Sequence, residues 1–255
     1  MSAVPLQGAA AQFDAVADAY ATSAVHARGA DLKRLVSVLA GAKGWEVLDV
    51  GTGAGHAAIA VAPLVRQVIA VDVAPKMLAV TEHLCAEQGI VNVRVVKADG
   101  RSLPFAAERF DGAISRFSAH HWPDPDLVMD EVRRVLRPGA PIVFIDSVSP
   151  PLGPLDTILN ALELLRDPSH ARNDHLAQWR DRVVGLGFAM EHEEEWLLEL
   201  QVEEWLRRSA TVAWRADACR RLLAEAPAEA KSALAIASDG STFSIPCALI
   251  RAVRR

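Results

Sequence analysis

Several absences narrow the reading before any motif is considered. The 255 residues contain no apolar run near the roughly 18 that a membrane helix needs, and the opening M-S-A-V-P-L-Q-G lacks a leader's basic start and apolar core. No membrane partner is expected, and the cytoplasm is the expected location. Three cysteines, Cys85, Cys219 and Cys247, are scattered, without a C-x-x-C pair or a histidine at metal spacing. That pattern argues against a disulfide framework and against a metal site. Basic residues come in pairs at most, such as Arg133-Arg134 and Arg207-Arg208, on a chain of net charge −5. A nucleic-acid partner needs a basic patch or stripe, and none is written here. Internal repeats and low-complexity tracts are missing too.

What is present is an ordinary globular composition, 51% hydrophobic and 23% charged. The length suits one α/β domain with an elaboration, or two small domains. The organising stretch is Glu46 to Ala58, E-V-L-D-V-G-T-G-A-G-H-A-A. A strand-type run carrying Asp49 enters the glycines Gly51, Gly53 and Gly55, then a helix-favouring segment from His56 to Ala62. Such a strand, glycine turn and helix bring backbone N–H groups close to a ligand. The dinucleotide fingerprint G-x-G-x-x-G wants a third glycine where His56 stands, which weakens a NAD reading. About twenty residues on, Asp72 ends a second apolar run, the place of a carboxylate that accepts ribose hydroxyls. NAD and S-adenosylmethionine (SAM) both supply such a ribose.

Residues 1 to 12 read as loose, and Phe13 to Ala42 as one or two helices. Pro75 at a helix start and Gly89 after its end frame a helix over Pro75 to Gln88. Strands follow at Val93 to Lys97, ending on Ala98-Asp99-Gly100, at Gly112 to Arg116, and at Pro141 to Asp146, with a helix over Asp126 to Leu136. Beyond the linker Pro150 to Pro154 come helices over Leu155 to Leu165 and from Asn173 or Asp174 to Leu186. A strand from Phe188 to Leu200, two or three short helices over Glu203 to Ser238 and a last strand, Phe243 to Val253, complete the chain. Strands alternating with helices predict a doubly wound, largely parallel α/β sheet with ligands at the carboxyl ends of its strands.

The pieces V-L-D-V-G-T-G-A-G at 47 to 55, V-D at 71 to 72, K-A-D-G-R-S-L-P-F at 97 to 105, F-D-G at 110 to 112 and E-V-R-R-V-L-R-P-G at 131 to 139 stand in a telling order. Together they resemble the class I SAM-dependent methyltransferases of the type 11 group, which includes the ubiquinone and menaquinone C-methyltransferases. The resemblance implies a Rossmann-like seven-stranded sheet ordered 3-2-1-4-5-7-6 with strand 7 antiparallel. It implies a helical cap over residues 1–42, a SAM-binding core over 43–149, and a helical substrate-side insertion with strands 6 and 7 over 150–255. It also implies that Asp49 and the loop Gly51, Thr52, Gly53, Gly55 and His56 hold the methionine part of SAM. Asp72 would hold the ribose hydroxyls, and Val73 and Met77 are further candidates for cofactor contact. Asp99, with Gly100 and Arg101, would take the adenine, and Arg116 and Phe117 the methionine side.

Methyl transfer from a sulfonium needs a nucleophile held in line, water excluded and sometimes a proton removed. His120 and His121, in the loop after strand 4, are the candidate bases, His121 ahead because it matches the family's position near the cofactor. Capping a helix and touching the cofactor are their plainer roles. Tyr20, seven residues from Phe13 on one helical face, and His26 are candidates for the substrate side. So is Trp122, although a tryptophan is as readily core. Arg166, His170 and Arg172 could surround an anionic substrate or form a capped turn. The expected activity is methyl transfer to the O, N or C nucleophile of a small molecule, releasing S-adenosylhomocysteine (SAH). SAM binding without transfer and a nucleotide-dependent oxidoreductase are the alternatives. The segment after strand 5 suits either a substrate lid or the face of a homodimer.

Overall fold

A computed structural model describes residues 7–21, 29–39 and 41–255. Its centre is a seven-stranded sheet of order β3-β2-β1-β4-β5-β7-β6. The strands are β1 (Glu46–Val50), β2 (Gln67–Asp72), β3 (Val93–Lys97), β4 (Gly112–Arg116), β5 (Pro141–Ser147), β6 (Phe188–Gln201) and β7 (Thr242–Arg254). β1 to β5 are parallel, and β7 runs antiparallel to both β5 and β6. This is the order and direction that the sequence motifs imply.

Central parallel strands are covered on both faces, so successive residues serve opposite cores. Val47, Val68, Ala70, Ile114 and Val143 pack beneath α2 (Ala30–Val38) and α3 (His56–Val61). Leu48, Val50, Ile69, Val71 and Phe144 pack against α5 (Pro125–Val135) and α7 (Leu176–Gly185) on the other side. Between β2 and β3 runs α4 (Pro75–Glu87), which Pro75 starts at its first turn. Pro125 does the same for α5, whose cap Asp124 accepts from Leu127 N at 3.1 Å.

β6 and β7 are 14 and 13 residues long, against 5 to 7 for the others. Their extra length carries a separate core. Leu200, Phe243, Ile245 and Cys247 meet Leu159 and Leu162 of α6 (Gly153–Arg166), Trp205 of α8 (Val202–Arg208) and Leu223 of α9 (Ala213–Ala224). A short α10 (Ala228–Ala233) closes this layer. Trp179 and Trp205 are buried; Trp214 is the tryptophan of the insertion that stands out in solvent. The insertion is thus less an exposed aromatic surface than a second packed layer. Along β6, Glu191, Glu193 and Glu194 pair with Arg251, Arg180 and Arg34.

Two local expectations need correction. Residues 7 to 12 are not loose but open α1 (Gln7–Ala21), because Gln12 Nε2 donates to Ser209 O at 3.0 Å and Asp14 accepts from Lys76 N at 2.9 Å. Those bonds stretch α1 from the start of α4 to the end of α8. In α7 the cap is His175, not Asn173 or Asp174. Its Nδ1 accepts from Gln178 N at 3.3 Å while Gln178 Oε1 accepts from His175 N at 3.0 Å. Asp174 is drawn instead to Arg172 and Arg182. Among the described residues, no helix is long and apolar enough to cross a membrane, and no group of His, Cys, Asp and Glu could hold a metal.

Candidate active site

The carboxyl ends of β1 to β4 open on a cavity. It sits where the chain turns from β1 toward β2 on one side and β4 lies on the other, the switch point that binds ligands in such sheets. Gly51 must be glycine: at φ 70° a Cβ there would lie 1.8 Å from Ser118 Oγ. Gly55, at φ 82°, packs against Thr81, where a Cβ would lie 2.5 Å from Cγ2, so it shapes the turn without lining the cavity. Gly53 faces open space and donates its N–H to Asp72 Oδ2 at 2.8 Å.

Three carboxylates ring this cavity. Asp49 is fully buried; Oδ2 accepts from Thr52 Oγ1 at 2.7 Å, and Oδ1 has no hydrogen-bond partner. Burial pushes its carboxyl up to about 7, against the pull of the Thr52 hydrogen bond. Asp72 is also raised by burial, opposed by the N–H groups of Ala74 and Gly53. Asp99 is held low: partial burial works upward, but hydrogen bonds from Arg101, one of them Nη2 to Oδ2 at 2.9 Å, outweigh it. Arg116 forms a buried ion pair with Asp31 of α2 and stacks on Phe117. Phe117 itself has φ 50°, a left-handed backbone that a bulky residue rarely adopts.

Past Phe117 the chain makes one short helical turn, Ala119–His121, fixed by Asp146 at the carboxyl end of β5. Asp146 accepts Ala119 N at 2.6 Å, and its other oxygen accepts His120 Nδ1 at 2.5 Å. Burial alone would lower His120, but the charge and hydrogen bond of Asp146 prevail and hold it above its ordinary value. His121 is different. Burial, then the charge of neighbouring His120, press it down to about 3, while its Nδ1 donates to Ser169 O at 3.1 Å. His170 is lowered to about 4, first by burial, and its Nε2 meets Asn160 Oδ1 at 3.1 Å.

A second cavity lies behind this turn. Phe13 of α1, Phe117 and His121 line both cavities, which adjoin there. Phe13 meets the His121 ring edge-on, with centroids 4.8 Å apart. The far walls are Leu198, Leu200, Trp205 and Ile245, with His120, Ser147, Glu163, Arg166 and Arg208 supplying the polar groups.

The sequence-derived residues distribute as follows. Asp49, Gly51, Thr52, Gly53, His56 and Asp72 line the first cavity. Val73, Met77, Asp99, Gly100, Arg101, Arg116 and Phe117 line it as well. Of the two histidines, His121 faces both cavities and His120 only the second. Trp122, expected beside the substrate, lines the first cavity instead, since its Nε1 donates to Ser118 Oγ at 3.1 Å. Arg166 reaches the second cavity. His170 and Arg172 do not line it: Asn160 holds the one, while Asp156 and Asp174 draw the other outward. His26 and the side chain of Tyr20 lie outside the described residues.

Asp146, Glu163, Ser147 and Arg208 were not anticipated. A signal existed for Asp146 alone, which ends a strand as Asp49 and Asp72 do. The others depend on how α6 and α8 dock.

Comparison with known proteins agrees with this architecture. Residues 48–144 match the family described as "Methyltransferase domain". The chain is 32% identical to the uncharacterized methyltransferase YcgJ of Bacillus subtilis, over 95% of this chain and 98% of that one. The crystal structure of YcgJ superposes with a TM-score of 0.84, covering 88% of this chain and 97% of YcgJ. A putative methyltransferase from Bacillus halodurans gives 0.84 at 30% identity, covering 89% and 99%. Geranyl diphosphate methyltransferase, solved with SAM, shares the fold at 19% identity, with a TM-score of 0.60 over 89% of this chain and 85% of that one.

Proposed function

This chain belongs to the class I SAM-dependent methyltransferases, and we propose that it holds SAM in the first cavity and transfers its methyl group to a small-molecule nucleophile in the second. The observation that carries this reading is that Phe13, Phe117 and His121 border both cavities. The cavities adjoin there, so a nucleophile in the second would approach in line the methyl carbon of a donor in the first.

The first cavity suits SAM by its own chemistry. The orphaned, buried Oδ1 of Asp49 calls for a cationic or N–H donor, which the amino group of the methionine part provides. Gly53 leaves space against the loop where a side chain would intrude. Asp72 would take the ribose hydroxyls, and Asp99, with Met77 and Val128 beside it in the lining, would frame the adenine. When bound, the cofactor supplies a methyl carbon already activated by a sulfonium.

The protein then has to align, dry and deprotonate the acceptor. Helix α1, pinned at Ser209 and Lys76, covers the junction and excludes water. His120 is the base in this reading, in preference to His121. With Nδ1 committed to Asp146, its Nε2 remains to take the acceptor's proton, and the raised basicity favours that transfer. His121, neutral at any physiological pH, borders both cavities and positions the acceptor.

Calorimetric titration with SAM, SAH and NAD tests the assignment. Micromolar binding of the first two, lost in Asp72→Ala, and none of NAD is the expected outcome. Binding of NAD alone overturns it.

A further inference from the structure

The stretch from Asp167 to Arg172 lines neither cavity, yet it is bonded to both residues of the histidine pair. Asp167, extended at φ −131° and ψ 110° ahead of Pro168, ends α6. Its Oδ1 then accepts from Ser169 N at 2.8 Å and from Ser169 Oγ at 2.6 Å, which folds the chain back on itself. Beyond this turn Ala171 N and Arg172 N donate to His120 O at 2.8 and 3.1 Å. Ser169 meets the other ring: His121 Nδ1 lies 3.1 Å from its carbonyl oxygen and 3.2 Å from its Oγ.

These contacts decide where the proton of His121 sits. A carbonyl oxygen only accepts, and the single hydroxyl hydrogen of Ser169 goes to the closer carboxylate of Asp167, so Nδ1 must be the donor. Burial, and after it the charge of His120, keep the ring neutral, which makes Nε2 a bare lone pair. Ser169 lines neither cavity whereas the ring borders both, so Nδ1 is turned away from them and Nε2 is the nitrogen left to face a ligand. Nε2 has no hydrogen-bond partner among the described residues.

We infer that Asp167 and Ser169 hold His121 in its Nδ1-protonated form, making Nε2 a standing hydrogen-bond acceptor at the border of the cavities that selects methyl acceptors carrying an O–H or N–H hydrogen. His120 takes the proton that the transfer releases, while His121 takes none and holds a hydrogen in place. Asp167 and Ser169 are positioning residues, acting through the ring they orient. The inference rests on the methyltransferase reading of the first cavity.

Nitrogen NMR of the histidine rings in the SAH complex at neutral pH tests it. In the wild type His121 Nδ1 is expected at the protonated shift and Nε2 at the bare one. Asp167→Ala is expected to move both toward the average of a tautomer mixture, and Ser169→Ala to do so less. Ser169→Thr, which keeps the hydroxyl, should retain the wild-type shifts. SAH affinity by calorimetry should stay unchanged in all three, because neither residue lines a cavity. Phenol added to the wild-type complex is expected to move Nε2 upfield, as a donated hydrogen bond does, and anisole, which has no hydrogen to donate, is expected to leave it in place. A protonated Nε2 in the wild type, wild-type shifts retained in Asp167→Ala, or equal responses to phenol and anisole, including none to either, overturns the proposal. Should Asp167→Ala fail to fold, Ser169→Ala decides, and unchanged shifts there count equally against it. Failure of the wild-type protein to bind SAH would instead overturn the methyltransferase reading beneath it.

Discussion

Around the first cavity each carboxylate has a partner close by in the chain, Asp49 in Thr52, Asp72 in Ala74 and Asp99 in Arg101, and Asp72 adds Gly53 of the glycine turn. Around the second, the partners are distant. Asp146 lies 26 residues from His120, and Arg166 reaches 39 residues to Trp205. One site is built from turns at strand ends, the other from helices docked on an extension of two long strands. A turn carries its ligand groups wherever the strand goes, so the first site is common to a family. The second can change with any shift of α6 or α8, which is how one fold accommodates many acceptors.

The sharpest way to break the comparison is Gly51→Val. A side chain there collides with Ser118 and forces a strained backbone. Loss of SAH affinity by about 10²-fold or more is expected by calorimetry, since a misplaced ligand loop forfeits several contacts together.

His120→Ala and Asp146→Asn probe the other side. Turnover is expected to fall by about 10² to 10³, the usual contribution of a positioned base. SAH binding should hold, because His120 does not line the first cavity. Histidine NMR on the SAH complex should also show the His120 titration move down when Asp146 loses its charge. Unchanged turnover in both variants would remove the base.

A smaller effect sharpens the contrast within the cofactor site. Asp49, raised to about 7, is partly protonated in the free protein at neutral pH, and a bound cation favours its carboxylate. SAM affinity should therefore rise with pH up to about that value and level off above it, changing by up to about 10-fold per pH unit below it. Asp49→Asn should flatten the profile. Calorimetry across pH 5.5 to 8, at about half-unit steps, reads this directly.

The mildest expected effect is on stability. His121 and His170, lowered to about 3 and about 4, stay neutral in the fold but take up protons when unfolded below their ordinary value of 6.5. The unfolded chain then binds more protons, so their contribution is complete above that value and is lost as pH falls from there toward 4. His120 runs the other way, its contribution present at low pH and lost as pH rises through its elevated value. His120, Asp49 and Asp72, all raised, oppose the two depressed groups, so the effect is read by difference: from neutral to mildly acidic pH the urea midpoint of the wild type should fall relative to that of His170→Phe.

Much of the fold was legible in the sequence because its signals are short-range. Pro75 and Gly89 bracket a helix, Gly51 and Gly55 mark turns at positive φ, and apolar runs ending in acids mark strand ends. The start of α1 was not legible, since Gln12 and Asp14 bond to residues 197 and 62 positions away. Nor was the cap of α7, where Asn173 and Asp174 compete by propensity and are withdrawn by Ser147, Arg172 and Arg182. Of the grouping Arg166, His170 and Arg172, the docking of α6 sends one residue into the cavity and leaves the others to partners outside it.

By itself the sequence determined the strand order through its family motifs and placed Asp49, Gly51, Asp72 and Asp99 at one edge, because those residues sit at fixed offsets from strands they themselves terminate. Only the tertiary structure decided that His120 rather than His121 is the imidazole that a carboxylate orients and makes more basic. That distinction depends on which ring Asp146 reaches across the sheet edge and on which one burial leaves uncompensated. It decided likewise that Glu163, Arg166 and Arg208 share a cavity with Trp205, since helices far apart in the chain meet where packing, and not spacing, brings them together.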